Sequence, residues 1–278
     1  MDRMPKPALR SLHRYPVKSL AGSDPGEAVV EPWGLAGDRR WLLVDAENGQ
    51  LTQRQQPTLA LARAEELPDG VLRVTAPGMP PLTVEVPGSG GRTVPVEVWK
   101  DVVEAVPAGA AAAEWFSGFL GVECRLVHLD APEKRRPVDP EYARPGDTVG
   151  FADGFPLLLT AASSLDALNS LVAQGDHADE GPLPMNRFRP NVVVDGTAPW
   201  AEDGWRRVRI GEVEFAVVKP SARCVVTTTD QYTAERGKEP LRTLARHRRF
   251  GDRLVFGQNL IPRTTGTIRI GDPFEILG

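Results

Sequence analysis

Two cysteines, Cys124 and Cys224, are all that 278 residues contain. So few exclude a disulfide framework and fit a reducing compartment. The four histidines, His13, His128, His177 and His247, lie too far apart to match any zinc-ligand spacing. Long apolar runs are absent too, and the N-terminus (Met-Asp-Arg-Met-Pro-Lys-Pro) has no apolar signal core. No Gly-x-Ser-x-Gly elbow, Walker loop or paired-cysteine motif occurs, which removes the commonest hydrolase, nucleotide-phosphate and dithiol chemistries. The expectation is a cytoplasmic protein with no membrane segment.

What is present describes a globular chain: 25% charged and 41% hydrophobic residues, long enough for one large or two ordinary domains. The net charge of −4 is unevenly spread. From Met185 onward there are about 16 Lys+Arg against about 11 Asp+Glu, roughly +5, leaving roughly −9 before it. So modest an excess, with few aromatics among it, suits a small anionic ligand and argues against nucleic acid. Arg242 to Arg249 read as a solvated helix face.

Short apolar runs between turn clusters predict a mostly β chain of barrels or sandwiches. Strands are expected at Leu9 to Tyr15, Trp41 to Asp45, Leu59 to Leu67, Val71 to Thr75, Leu82 to Val86, Arg92 to Trp99, Cys124 to Leu129, Phe155 to Thr160 and Val192 to Asp195. Asn48-Gly49 signals a hairpin, and the glycines at 88, 90 and 91 read as a hairpin tip. Helices are expected from Ala108 to a stop at Gly121, after a Ser163 or Ser164 N-cap, and over Leu241 to Arg248. The Pro- and charge-rich stretch after Ala131 suggests domains at 1–130 and 131–278, with the first ~45 residues also reaching the second domain's pocket.

Cys224 is the chemically distinctive residue. Val213, Phe215 and Val217 alternate with Glu212, Glu214 and Ala216 as in a half-buried strand, Lys219-Pro220-Ser221 interrupts the pattern, and a β-branched run follows. Cys224 is thus expected at the start of a strand, with Arg223 beside it. A cationic neighbour favours the thiolate, which attacks electrophiles and binds soft metals, whereas a cysteine in a β segment also serves as a small buried hydrophobe. Cys124 reads as core.

Five segments in order carry a family resemblance: Tyr15-Pro16-Val17-Lys18-Ser19, Gly34 through Trp41, Arg187-Phe188-Arg189-Pro190-Asn191, Arg223-Cys224 through Asp230, and Phe256-Gly257-Gln258-Asn259. Together they resemble the MOSC-domain family with its N-terminal β-barrel domain, the group of the amidoxime-reducing components and bacterial relatives of the YcbX type. The resemblance implies a molybdenum cofactor, a phosphate-bearing pyranopterin, with Cys224 as the molybdenum ligand. By motif, Lys18, Ser19 and Arg39 match its phosphate end, Arg189 and Asn191 further pocket positions, Thr160 a hydroxyl near the pterin, and Asn259 a lining position. Ala222 stands where some relatives have serine, so that one hydrogen bond to the cofactor is either missing or replaced by one from Ser221. Asp230 is a candidate acid–base residue or a structural one.

The implied activity is reduction of N-hydroxylated compounds (amidoximes, hydroxylamines, N-hydroxylated bases) by a molybdenum oxidoreductase, as in detoxification. Two cysteines cannot ligate an iron–sulfur cluster, so electrons are expected from a separate ferredoxin, flavodoxin or haem protein. The alternative is a non-catalytic carrier of the cofactor, or of sulfur on Cys224.

Overall fold

Eighteen strands and four α-helices make up the described part of the chain, which in this computed structural model is residues 6–67, 70–88 and 91–278. The N-terminal half contains β1 (Ala8–Leu12), β2 (Glu27–Glu31), β3 (Gly34–Leu35), β4 (Trp41–Val44), β5 (Arg63–Glu66), β6 (Leu72–Thr75), β7 (Leu82–Val84), β8 (Val94–Val98) and β9 (Asp101–Pro107). Helix α1 (Ala110–Leu120), β10 (Arg125–His128) and the short α2 (Pro132–Arg135) complete it. The C-terminal half has β11 (Leu157–Ala161), α3 (Ala162–Val172), β12 (Val192–Asp195), β13 (Arg207–Ile210), β14 (Val213–Ala222), α4 (Leu241–His247), β15 (Arg249–Phe250), β16 (Arg253–Pro262), β17 (Gly266–Arg269) and β18 (Phe274–Ile276).

An eight-stranded sheet in the order β1-β12-β11-β16-β14-β13-β18, with β15 on β16, curls into a nearly closed barrel. Its ends meet through an isolated bridge between Ala8 and Pro273 and through bonds from Leu9 N to Asp272 O and from Phe274 N to Pro7 O, both 2.9 Å. Joining the ends satisfies the edge groups an open sheet would expose. Within this sheet β11–β12 is the one parallel pair among the described residues, and α3 forms the crossover between them. Inside lie Leu12, Leu159, Val192, Phe215, Leu260 and their neighbours. The first strand therefore pairs with the C-terminal half, and β2 likewise pairs with β17.

The rest of the N-terminal half forms two smaller sheets, β4-β10-β9-β8 and β5-β6-β7. Their apolar faces close over Trp115 and Phe116 of α1 on one side and Phe151 on the other. Gly121, in the left-handed conformation at φ 69°, ends α1 as expected.

Local details depart from the sequence reading. Pro57–Leu61 is a 3-10 helix, with proline at its first turn where the missing N–H costs nothing, and only Arg63–Glu66 is strand. β9 escapes the pattern because Val102 points to solvent and breaks the alternation. Neither serine caps α3: Ser164 donates to Glu202 Oε2 (2.8 Å) and accepts from Trp200 N. Ser89 and Gly90, at the expected hairpin tip, lie outside the described residues, as do Pro68 and Asp69.

The important difference is at Cys224. Pro220 does not end its strand, because register shifts between Val217 and Lys219 and between Pro220 and Ala222 let β14 run on to Ala222. Cys224 thus follows a strand instead of starting one, at the N-cap of a 3-10 turn over Val225–Thr228. The β-branched run curls because Thr227 Oγ1 donates to Cys224 O and Thr228 Oγ1 to Val225 O, both 2.8 Å. Local side-chain bonds of this kind compete with a strand ladder.

Candidate functional site

A cavity of about 330 Å³ opens where the loops after β1, β3 and β4 meet β14, β16 and the loop before β12. Its walls carry Lys18, Arg39, Arg54, Arg189, Lys219, Arg223 and Arg253, against one carboxylate, Asp153, among the described residues. Cys224 lies on the wall, half-buried, whereas Cys124 is buried in the core. Six of the residues singled out from the sequence line this space with Cys224: Lys18, Ser19, Arg39, Arg189, Asn191 and Asn259.

The backbone is bent to present them. Ser19, Arg39 and Arg189 all take positive φ (72°, 46° and 53°), a region non-glycine residues enter only when surroundings fix them. Gly37, at φ 77°, lets the Gly34-to-Trp41 loop turn tightly, since L side chains rarely adopt that backbone conformation. Gly257, at φ 78° inside β16, is equally required, because a Cβ would lie 2.6 Å from Leu159 O. Two residues on, Asn259 reaches the cavity opposite Leu158.

Four of the cations are held by hydrogen bonds to neighbouring segments. Lys18 is buried, and its Nζ donates to Phe151 O (2.8 Å) and Asp153 Oδ1 (2.5 Å). Arg39 donates to Asp38 Oδ2 (2.6 Å), Asn191 Oδ1 (2.9 Å) and Arg189 O (3.1 Å). Arg189 donates to Leu20 O (2.7 Å). Both guanidiniums lie over the Tyr15 ring, at 4.4 and 4.3 Å from its centroid. Arg223 donates to Ser221 Oγ (2.9 Å) and Phe188 O (2.7 Å), while its Nε is buried without a partner.

Burial pulls the Lys18 ammonium below its ordinary pKa, with Asp153 opposing. It likewise pulls Arg189 and Arg223 down to about 10 and pushes Tyr15 up to about 12, the nearby arginines opposing in the last case. At Asp153 burial acts upward, but the Lys18 charge and hydrogen bond dominate and leave its carboxyl well below the usual range. That side chain is 62% exposed, so water screens part of the effect.

The thiol has a partner its own segment does not reveal. Arg54 donates from Nη2 to Cys224 Sγ at 3.1 Å, stacks on Trp99 at 4.3 Å and lies 3.8 Å from Asp153. Arg54, Asp153 and Trp99 escaped the sequence reading, and the one local signal was Arg54 within the polar run Thr52-Gln53-Arg54-Gln55.

Two residues singled out from the sequence lie elsewhere. Thr160 is fully buried, and its hydroxyl bonds Met185 Sδ at 3.3 Å, away from the cavity. Asp230 is not on the cavity wall. Its carboxylate accepts from Arg187 Nη2 (2.9 Å) and from the backbone of Tyr232 and Thr233, so it organises the loop after the Cys224 turn. Asn191 lines the space yet spends its side chain on structure: Oδ1 accepts from Arg39 and Leu158 N, and Nδ2 donates to His13 O.

Two family models match the chain, the MOSC N-terminal beta barrel domain over residues 6–123 and the MOSC domain over residues 146–275. Mitochondrial amidoxime-reducing component 1 of Mus musculus is 33% identical over 95% of this chain and 80% of its own length. The Homo sapiens protein of the same name is also 33% identical, over 95% and 81%. Molybdenum cofactor sulfurase of Anopheles gambiae is 35% identical over 91% of this chain, which spans 34% of that longer protein. No helix among the described residues is long and apolar enough to cross a membrane. The chain belongs to the MOSC-domain family, in the group whose members also carry the MOSC N-terminal β-barrel domain.

Proposed function

We propose that the chain is a molybdenum-cofactor-dependent oxidoreductase that reduces N-hydroxylated compounds, with Cys224 as the protein's ligand to the metal. The observation that carries the reading is one soft thiol on the wall of a cavity where seven cationic side chains face one carboxylate. That donor set fits an anionic cofactor: thiolate suits a thiophilic metal, and guanidinium and ammonium groups suit a phosphate. The orphaned Nε of Arg223, next to Cys224, is a buried donor with capacity to spare. The relatives named amidoxime-reducing components, matched along most of both chains, supply the reaction class.

Lys18, Ser19, Arg39 and Arg189 would hold the phosphate-bearing end, and Cys224, backed by Arg223 and Arg54, the metal end, with Asn259 on the wall. When bound, the group supplies two-electron chemistry that side chains lack. Reduction of an N-hydroxyl group to N–H consumes two electrons and two protons and releases water. This chain's part is to bind, to fix the thiol by the Arg54 bond, and to exclude water with Phe155, Leu157, Leu158 and Phe188 along the wall. A separate ferredoxin, flavodoxin or haem protein would deliver the electrons, in a cytoplasmic setting compatible with two free thiols.

The likeness to molybdenum cofactor sulfurase favours a second reading, a carrier that holds the cofactor or a sulfur on Cys224 without turnover. Metal and pterin analysis of the purified chain, followed by assay with an artificial low-potential dye and an N-hydroxylated substrate, separates the two. An oxidoreductase turns over in the parent and not in Cys224→Ser, which replaces a soft thiolate with a hard, weakly acidic alcohol. A fully active Cys224→Ser protein refutes the ligand assignment. A molybdenum-loaded parent that never turns over favours the carrier.

A further inference from the structure

Asp153 is positioned oddly for a permanent structural partner. Its Oδ1 accepts from Lys18 Nζ at 2.5 Å and from Trp99 Nε1 at 3.3 Å, and its Oδ2 lies 3.8 Å from Arg54 Nη2. One carboxylate thus sits among three N–H-bearing side chains, of which Lys18 and Arg54 line the cavity, within the group of cations that suits an anion. Lys18 is buried, whereas the Asp153 side chain is mostly exposed. A buried ammonium is costly to leave without a counter-ion, while an exposed carboxylate loses little by returning to water.

We infer that Asp153 is a displaceable counter-ion: its carboxylate and the phosphate of an incoming ligand compete for Lys18, and Asp153 rotates into solvent as the phosphate arrives. The inference rests on the anionic-cofactor reading above and adds a control on loading. Movement is confined to the side chain, because the loop backbone is clamped. Arg136 donates to Gly150 O (3.2 Å), Ala152 O (2.5 Å) and Asp153 O (3.0 Å), and is itself paired with Asp101 at 2.8 Å. Phe151 N bonds Arg39 O at 2.8 Å. A phosphate presents more acceptor oxygens and more charge than the Asp153 carboxylate, so it can take over Lys18 from it. The exchange never leaves Lys18 unpaired, and the carboxylate, depressed by Lys18, stays ionised across the physiological range and competes at every working pH.

The test is calorimetric titration of the full chain, produced in a host that makes no molybdenum cofactor, with inorganic pyrophosphate as the probe. Asp153→Asn keeps an amide oxygen for Lys18 and Trp99 but removes the competing charge, and should bind pyrophosphate about tenfold more tightly than the parent. Asp153→Ser, which removes the acceptor altogether, should show the same direction, with thermal denaturation verifying that both variants fold. Lys18→Ala should lose binding in either background. Equal or weaker binding by both folded Asp153 variants overturns the inference and makes Asp153 a permanent part of the cation cluster. If instead Lys18→Ala binds as well as the parent, the phosphate assignment itself fails, a result distinguishable from the first.

Discussion

Replacing Asn191 with alanine should cost stability first and cofactor retention second. The side chain is 1% exposed and joins three segments: Oδ1 accepts from Arg39 Nη1 at 2.9 Å and from Leu158 N at 3.2 Å, and Nδ2 donates to His13 O at 3.2 Å. Two of these are neutral bonds contributing about 0.5–1.5 kcal/mol each, and the bond from the guanidinium contributes about 1.5–3 kcal/mol. Truncation also strands buried polar groups, so the expected loss is about 3–5 kcal/mol, a fall in Tm on the order of 10 °C for a chain this long. Urea and thermal denaturation of Asn191→Ala measure it. Because Arg39 loses one of its holds, the variant should also retain less molybdenum. Arg39→Ala and Asn191→Ala should combine with an interaction energy of about 0.5–3 kcal/mol, as expected of contacting residues. A loss below about 1 kcal/mol, or strict additivity with Arg39→Ala, refutes the three-way clip.

Arg39→Ala by itself should lower molybdenum content while leaving turnover per bound metal nearly unchanged, since a phosphate contact contributes binding and not chemistry; equal occupancy in variant and parent argues against the assignment. His128 is buried against Trp41, and burial together with Arg40 lowers its pKa to about 4. A histidine depressed in the folded state keeps its full contribution above the unfolded value of about 6.5 and loses it as pH falls toward 4, at most about 3 kcal/mol. His128→Phe should therefore flatten that part of the stability profile in acid denaturation curves, and identical profiles would contradict it. The cofactor-loaded chain should reduce substrate with an artificial low-potential dye but not with NADH or NADPH alone, and efficient NADPH-driven turnover would reveal a nicotinamide or flavin site.

Much of the architecture follows from local pattern. Period-two alternation in Leu72–Thr75, the short uninterrupted apolar runs of Trp41–Val44 and Val192–Asp195 and the Gly121 stop on α1 are properties a short window of residues decides. The segments around Lys18, Arg39, Arg189, Cys224 and Asn259 are also visible as motifs, and they meet in one cavity. Tertiary context decided the rest. Whether Pro220 ends β14 depended on whether β16 could absorb a register shift beside it. The run after Cys224 curls because its threonine hydroxyls bond backward, and Thr160 stays away from the cavity because Met185 covers its hydroxyl. Asp230 serves Arg187 and its own loop. Above all, the partner of Cys224 is Arg54, 170 residues away. No window of sequence contains that pair, because a 3.1 Å contact between distant segments exists only after both lobes have folded around it.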